Sequence, residues 1–472
     1  MTTVNNIWQD DCLNRKPSAL FLYNYLINNE SVKVLNINSP WGSGKTFFVD
    51  RWKDELKLNH ICVSFNAWEN DFSEEPLLSL VAAINKQMKE NCEKSDVVRS
   101  KITDLVYATG RALKAASPVV AKGLLQRLSG VNADEVADAA VSILPDAGEK
   151  VLEELLSTHE KSQETAENFK HSLSSLFQAT LEEKTSLQPT VFIIIDELDR
   201  CRPTYAIELL ERVKHFFSME NCKFIIASDT EQLAHAVRAV YGEGFDSPRY
   251  LKRFFDAEFT LNNNETHKFI AAQMQEMPND VAHIGYFDSI KSRANTFRVH
   301  YETDNIPTID SKTVIYDEPF RLDVLYIAGL SKYFNTNLRE IHKLLQQLTA
   351  MRRNAKEPFH FFYAAFLIFL KDAKPDFYRE MHSGLDWEQH SPLKLEAIIG
   401  RPVPNILLHT DRCNILQFAD YYYSCLNKSN QELRSAFDYA KGIHSEILNF
   451  VYNQKHDLKE YPTLVDLAHR LT

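Results

Sequence analysis

The sequence predicts an α/β fold: a three-layer domain built on a parallel sheet, followed by a mostly α-helical C-terminal region. Three observations predict it. Five short apolar runs, at 32–38, 61–65, 191–195, 224–228 and 258–261, alternate with helical patterns, the mark of crossover units around a parallel sheet. The first run is followed by a glycine-rich turn, Ser39-Pro40-Trp41-Gly42-Ser43-Gly44-Lys45-Thr46, that opens a helix. The third run, Val191-Phe192-Ile193-Ile194-Ile195, stops on two adjacent carboxylates, Asp196 and Glu197. It is too short for a typical helix and rich in β-branched residues, so it reads as a strand buried on both faces.

The elements follow in order. Residues 47–56 read as the helix after the glycine-rich turn. The strand at 61–65 ends in Asn66-Ala67-Trp68-Glu69 on the ligand-facing edge, where Trp68 is either core filler or part of a site and Asn66 is a polar contact for phosphate or water. The gap from 77 to 189 is far longer than an ordinary crossover and reads as a helical insertion centred on about 95–165. Within it, 108–147 is rich in Ala, Gly and Val, but Arg111, Lys114, Lys122 and Arg127 interrupt it, which rules against a simple transmembrane helix. Phe169, Leu173, Leu176 and Leu181 then fall on one helical face leading back to the sheet. A helix begins near Pro203, with Asp199 either capping it or belonging to the site, and Arg200 pairing with Asp199 or with phosphate. After 262 no further strand series is evident apart from an ambiguous 313–316, and 295–312 is polar. The longest apolar run, 359–370, is too short to span a bilayer and reads as a core helix. The expected division is therefore 1–262 for the α/β domain with its insertion and 263–472 for the helical remainder.

Bulk properties narrow the classes. A chain of 472 residues holds two or three domains, and 53 basic against 64 acidic residues give a net charge of −11. That balance argues against broad coating of nucleic acid and leaves room for a local basic groove. Seven scattered cysteines without C-x-x-C spacing fit reduced thiols in the cytosol, and the polar N-terminus carries no signal-peptide pattern.

The two singled-out segments share one chemistry. Backbone N–H groups of a glycine-rich loop point inward and wrap phosphates, and the helix that follows turns its positive end toward them. Lys45 supplies charge to β- and γ-phosphates, and Thr46 supplies a hydroxyl to Mg²⁺. Ser39 stands where the first glycine of G-x-x-x-x-G-K-[ST] belongs, and Phe47 completes the contacting run. Asp196 can hold Mg²⁺ directly or through water, and Glu197 can orient the attacking water. Together these residues are equipment for binding and hydrolysing ATP with Mg²⁺.

The same residues, taken with others, resemble the KAP family of P-loop NTPases within the STAND and AAA+-like group. The matching marks are Trp41 to Thr46, Phe65-Asn66-Ala67-Trp68, Ile195-Asp196-Glu197-Leu198-Asp199-Arg200-Cys201-Arg202-Pro203, Glu208-Leu209-Leu210-Glu211, Asp229, Tyr250-Leu251-Lys252 and Asn337-Leu338-Arg339-Glu340-Ile341. The resemblance runs from about 10 to 348, with the insertion unmatched and Ser39 a departure. It implies a sheet order 5-1-4-3-2, an ATP-driven switch, and roles in bacterial defence against phage or in assembling signalling complexes. Many relatives carry transmembrane helices in the insertion, and this chain is expected to lack them. Asp229 then follows the strand between the phosphate-loop strand and the acidic strand, either sensing the γ-phosphate or capping the next helix. Arg339 is a sensor arginine from the helical region or a solvated surface charge. Arg253, at the end of a helix before the fifth strand, is offered to a neighbouring subunit's nucleotide or pairs with Asp256.

Three readings follow: an ATPase switch acting with protein partners and possible as a homo-oligomer, a nucleotide-loaded scaffold with negligible hydrolysis, and a motor on nucleic acid. Retention of both Asp196 and Glu197 favours the first. The acidic net charge and missing helicase-like motifs weigh against the third.

Overall fold

The computed structural model describes residues 7–92, 94–116, 150–216, 219–261, 265–275, 298–300, 313–314, 322–355, 359–383, 389–408, 411–437, 439–440 and 442–471. Its contacts divide the chain into two compact units, Met1–Asn262 and Asn263–Thr472.

The first unit is built on a five-stranded parallel sheet. Its strands are β1 (Val34–Asn38), β2 (His60–Asn66), β3 (Gln188–Asp196), β4 (Cys222–Ser228) and β5 (Ala257–Thr260), in the spatial order β2-β3-β4-β1-β5. This is the expected 5-1-4-3-2 order, counted from the other edge. β1 lies between β4 and β5, with Leu35 opposite both Ile225 and Ala257. Strand side chains alternate between faces. Phe192 and Ile194 of β3 therefore join Leu35, Ile37 and Ile225 under α1 (Lys16–Asn28) and α2 (Lys45–Leu56), which contribute Leu22, Leu26, Phe48, Val49 and Trp52. Val191, Ile193 and Ile195 face the other way, with Val63, Phe65 and Ile226, into a second cluster. There α3 (Pro76–Asn91) and the later helix Pro203–Phe216 supply Leu77, Leu80, Ile84, Leu209 and Leu210. Coverage of both faces explains why β3 reads as an unbroken apolar run. Each such side chain, fully buried, stabilises the fold by about 1.5–3 kcal/mol.

Between β2 and β3 the chain forms α4 (Asp96–Ala116) and α5 (Lys150–Glu183). Val98, Ile102 and Leu105 of α4 are buried in the same cluster as Phe169, Leu173 and Leu176 of α5, and Leu181 is packed against it. α5 runs unbroken past 165 into the approach to β3. The middle of the expected insertion, 117–149 with Lys122 and Arg127, lies outside the described residues, as does most of 295–312.

The second unit corrects one expectation. Beyond its helices it holds a small antiparallel sheet of Arg298–His300, Thr313–Val314, Asn405–Leu408 and Asp411–Asn414, where the sequence marked only the ambiguous 313–316. Strands of two to four residues carry too few alternations for a period to register. The apolar run at 359–370 is buried throughout, and its helix is Phe361–Ala373. Asn337 and Asn414 each close a helix start with a reciprocal capping box, Asn337 with Glu340 and Asn414 with Gln417.

Candidate nucleotide site

The turn from Ser39 to Thr46 joins the carboxyl end of β1 to α2. Ser39 is buried, its N–H donates to the Ser228 carbonyl at 3.2 Å, and its hydroxyl donates to the Leu261 carbonyl at 3.3 Å. Among the described non-glycine residues, only Asn14, Glu197, Asn221 and Asn335 have positive φ. Ser39 thus occupies the first-glycine position without needing a left-handed backbone, and its side chain is put to use. Gly42 (φ 76°) and Gly44 (φ 81°) do require glycine's freedom. Pro40 and Trp41 are exposed, and Trp41 Nε1 donates to Asp199 Oδ2.

Lys45 is buried and its Nζ donates to the Ser39 carbonyl at 2.9 Å. Burial pushes its pKa down, while the charges of Asp199, Asp229 and Asp196 push it up. Ser43 Oγ is buried without a partner in the same turn. A ligand bearing oxygens would satisfy that hydroxyl, and a polyanion suits the ammonium, so the residues present fit a nucleotide's phosphates. Phe47, half-buried in the first turn of α2, carries the Arg51 guanidinium 4.9 Å from its ring centre.

At the end of β3, burial pushes the Asp196 carboxyl up, against the hydrogen bond from the Glu197 N–H at 2.8 Å and the lowering influence of the Thr46 side chain. Thr46 and Asp196 thus act on one another across the site. Two protein oxygens suit a cation that keeps several waters and takes its other ligands from phosphates, as Mg²⁺ does. Glu197 sits at φ 61°, a left-handed conformation costly for a non-glycine residue. Asn66 Nδ2 donates to Glu197 Oε2 at 3.2 Å, and Arg200 pairs with Oε1 at 2.8 Å. The Arg200 guanidinium also lies 5.7 Å from the ring centre of Trp68. Trp68 is exposed, which removes the core-filler reading.

Several expected placements change. Asp199 does not cap the helix Pro203–Phe216: it lies in a 3-10 turn, Leu198–Arg200, and its carboxylate accepts from Trp41 instead. The N–H of Arg202 is accepted by Asp71 at 2.8 Å. Arg200 pairs with Glu197 rather than Asp199. Asp229 caps the helix Thr230–Tyr241, accepting from the N–H groups of Glu231 and Gln232, and the same carboxylate acts on Lys45. Arg253 is not at a helix end, because the helix Ser247–Leu251 stops two residues earlier and Arg253 lies exposed in the turn that follows. It does not pair with Asp256, whose carboxylate accepts from the N–H groups of Lys33 and Val34 at 2.7 and 2.9 Å. Arg339 belongs to the second unit, exposed as the second residue of the helix Leu338–Asn354.

One contributor escaped sequence reasoning. Arg15 is buried, its NH1 donates to the Gly44 carbonyl at 2.9 Å and its NH2 to the Ser43 carbonyl at 2.6 Å. Burial brings its pKa down to about 10, with Asp11 opposing, so it stays charged at neutral pH.

The sequence profile of the KAP family P-loop domain matches residues 15–355. The chain belongs to the KAP family of P-loop NTPases. This KAP domain binds and hydrolyses nucleotide by the character of its family, and the sheet of the first unit carries the loop at the carboxyl end of β1 and the acidic pair at that of β3, with β4 between them. An uncharacterized protein of Methanocaldococcus jannaschii is 25% identical over 177 residues, which cover 34% of this chain and 87% of that protein. Among the described residues of the KAP chain, no helix is long and apolar enough to cross a membrane. None of the seven cysteines is in a disulfide.

Proposed function

We propose that this protein is an Mg²⁺-dependent ATPase whose hydrolysis cycle drives a conformational switch, read out by a protein partner. The observation that carries the reading is the hydrogen bond from Trp41 of the glycine-rich turn to Asp199 of the acidic turn, which joins the segment of Lys45 and Thr46 to that of Asp196 and Glu197. Thr46 and Asp196 would hold Mg²⁺, which supplies charge neutralisation between β- and γ-phosphate oxygens when bound. The N–H groups from Gly44 to Phe47 wrap phosphate, Lys45 balances its charge, and Glu197 orients water. Asp229 senses the γ-phosphate from the end of β4. Arg339, of the second unit, is added as a sensor arginine on the family resemblance alone. Turnover of ATP and GTP, measured with Mg²⁺ and with a chelator, tests the reading. Turnover unaffected by the chelator would sink the metal dependence, and preferred turnover of GTP would replace ATP as substrate.

A nucleotide-loaded scaffold is the second reading, and one observation favours it: both oxygens of Glu197 are engaged, by Asn66 and Arg200. A Glu197 so held is turned to its neighbours rather than to water, and a partner that releases it would start hydrolysis. A place in defence against phage rests on the family resemblance, and phage plating on cells with and without the gene measures it.

Arg253 is proposed as an arginine offered to the nucleotide of a second copy. Its exposure in a turn, without an ion pair among the described residues, leaves two donors for a γ-phosphate. Mixing inactive Glu197→Gln protein with inactive Arg253→Ala protein is expected to restore activity, because one interface then combines an intact Glu197 with an intact Arg253. Absence of rescue, with a specific rate independent of protein concentration in a monomer, leaves Arg253 a surface residue.

A cytoplasmic location in the soluble fraction is proposed as well. Basic residues recurring through 108–147 motivate it. Cell fractionation is expected to recover the protein without detergent, and recovery only in detergent would contradict this.

A further inference from the structure

We propose that Arg15 is a positioning residue for the phosphate loop, its guanidinium holding the Ser43 and Gly44 carbonyls so that the next two N–H groups face the nucleotide. The inference rests on the reading of this loop as a phosphate binder. A trans peptide points its C=O and the following N–H in opposite directions. The carbonyl of Ser43 is tied to Arg15 NH2 at 2.6 Å and that of Gly44 to NH1 at 2.9 Å. The N–H groups of Gly44 and Lys45 therefore point away from the guanidinium. A planar fork with two separate nitrogens suits two successive carbonyls, and a single ammonium does not.

Two features make this tie specific. A Cβ at Gly44 would come within 2.9 Å of Arg15 NH1, so the glycine serves the guanidinium's approach as well as its own left-handed φ. Arg15 is also firmly seated. Its N–H donates to Asp11 Oδ2, and it leads into α1, whose Ala19, Leu22 and Leu26 are fully packed against the core under β1. A buried cation close behind the loop adds to the positive potential that a polyphosphate meets, because screening by water is weak there. Arg15 reaches no reacting atom and acts through the loop.

The test titrates ATP and ADP calorimetrically into wild type, Arg15→Lys and Arg15→Ala, and measures melting without nucleotide together with KM and kcat. Arg15→Lys keeps the charge and the stem but holds one carbonyl. It is expected to melt like wild type and to lose affinity for both nucleotides by about tenfold, the scale of one charge-assisted hydrogen bond. KM should rise while kcat at saturation stays near wild type, and Arg15→Ala should lose more affinity than Arg15→Lys. Should Arg15→Ala fail to fold, the lysine variant alone decides. Folded Arg15→Lys with wild-type affinity and KM, beside a wild type that binds, would overturn the positioning role. A wild type that binds neither nucleotide would overturn the phosphate-loop reading itself, and the role of Arg15 with it.

Discussion

Replacing Lys45 by alanine is expected to weaken ATP binding by about 10–100-fold, the range for loss of a charge-assisted contact. The surroundings of Lys45 give the reason for a large effect. Its ammonium is buried and feels the charges of Asp199, Asp229 and Asp196. Truncation removes the positive charge that phosphates would meet and leaves three carboxylates facing an anion. It also frees the Ser39 carbonyl, which accepts from Nζ at 2.9 Å, so melting curves of the free protein must accompany the calorimetric titration. A variant that melts like wild type and binds ATP equally well would remove the loop from the nucleotide site. A variant that binds weakly while melting normally assigns the loss to the phosphates rather than to the fold.

The parts of this chain that were legible in sequence are those whose signal is local. The apolar run of β3 and the two carboxylates at its end are contiguous, as are the two glycines and the Lys45-Thr46 pair before α2. Sheet order was carried by the resemblance, because nothing in five short apolar runs ranks them across a sheet. Arg15 was invisible for the opposite reason. Its partners lie 28 and 29 residues on, and only the packing of α1 beside the loop brings them together. Asp199 was misread because a carboxylate four residues before Pro203 resembles a cap, whereas the 3-10 turn directs it to Trp41. The small antiparallel sheet of the second unit is made of strands too short to show alternation: Arg298–His300 lies inside the polar stretch 295–312, and Thr313–Val314 falls in the ambiguous 313–316.

Glu197→Gln is expected to keep ATP binding and lower turnover by about 10²-fold or more, as befits lost acid–base or electrostatic help at the attacking water. The geometry around Glu197 makes the substitution informative. A glutamine carbonyl can still accept the hydrogen bond that Asn66 donates at 3.2 Å, so the side chain keeps one anchor and its volume. What it loses is charge: the ion pair with Arg200 at 2.8 Å, and the capacity to polarise a water. Single-turnover measurement with ATP prebound separates this loss from any change in affinity. If the variant hydrolyses at the wild-type rate, the residue that activates water lies elsewhere, and Asp229 is the next carboxylate to test. If wild type itself shows no turnover, even with its partner present, the clasp of Asn66 and Arg200 on Glu197 describes a standing state of the protein, and the nucleotide is cargo for a scaffold rather than fuel for a switch.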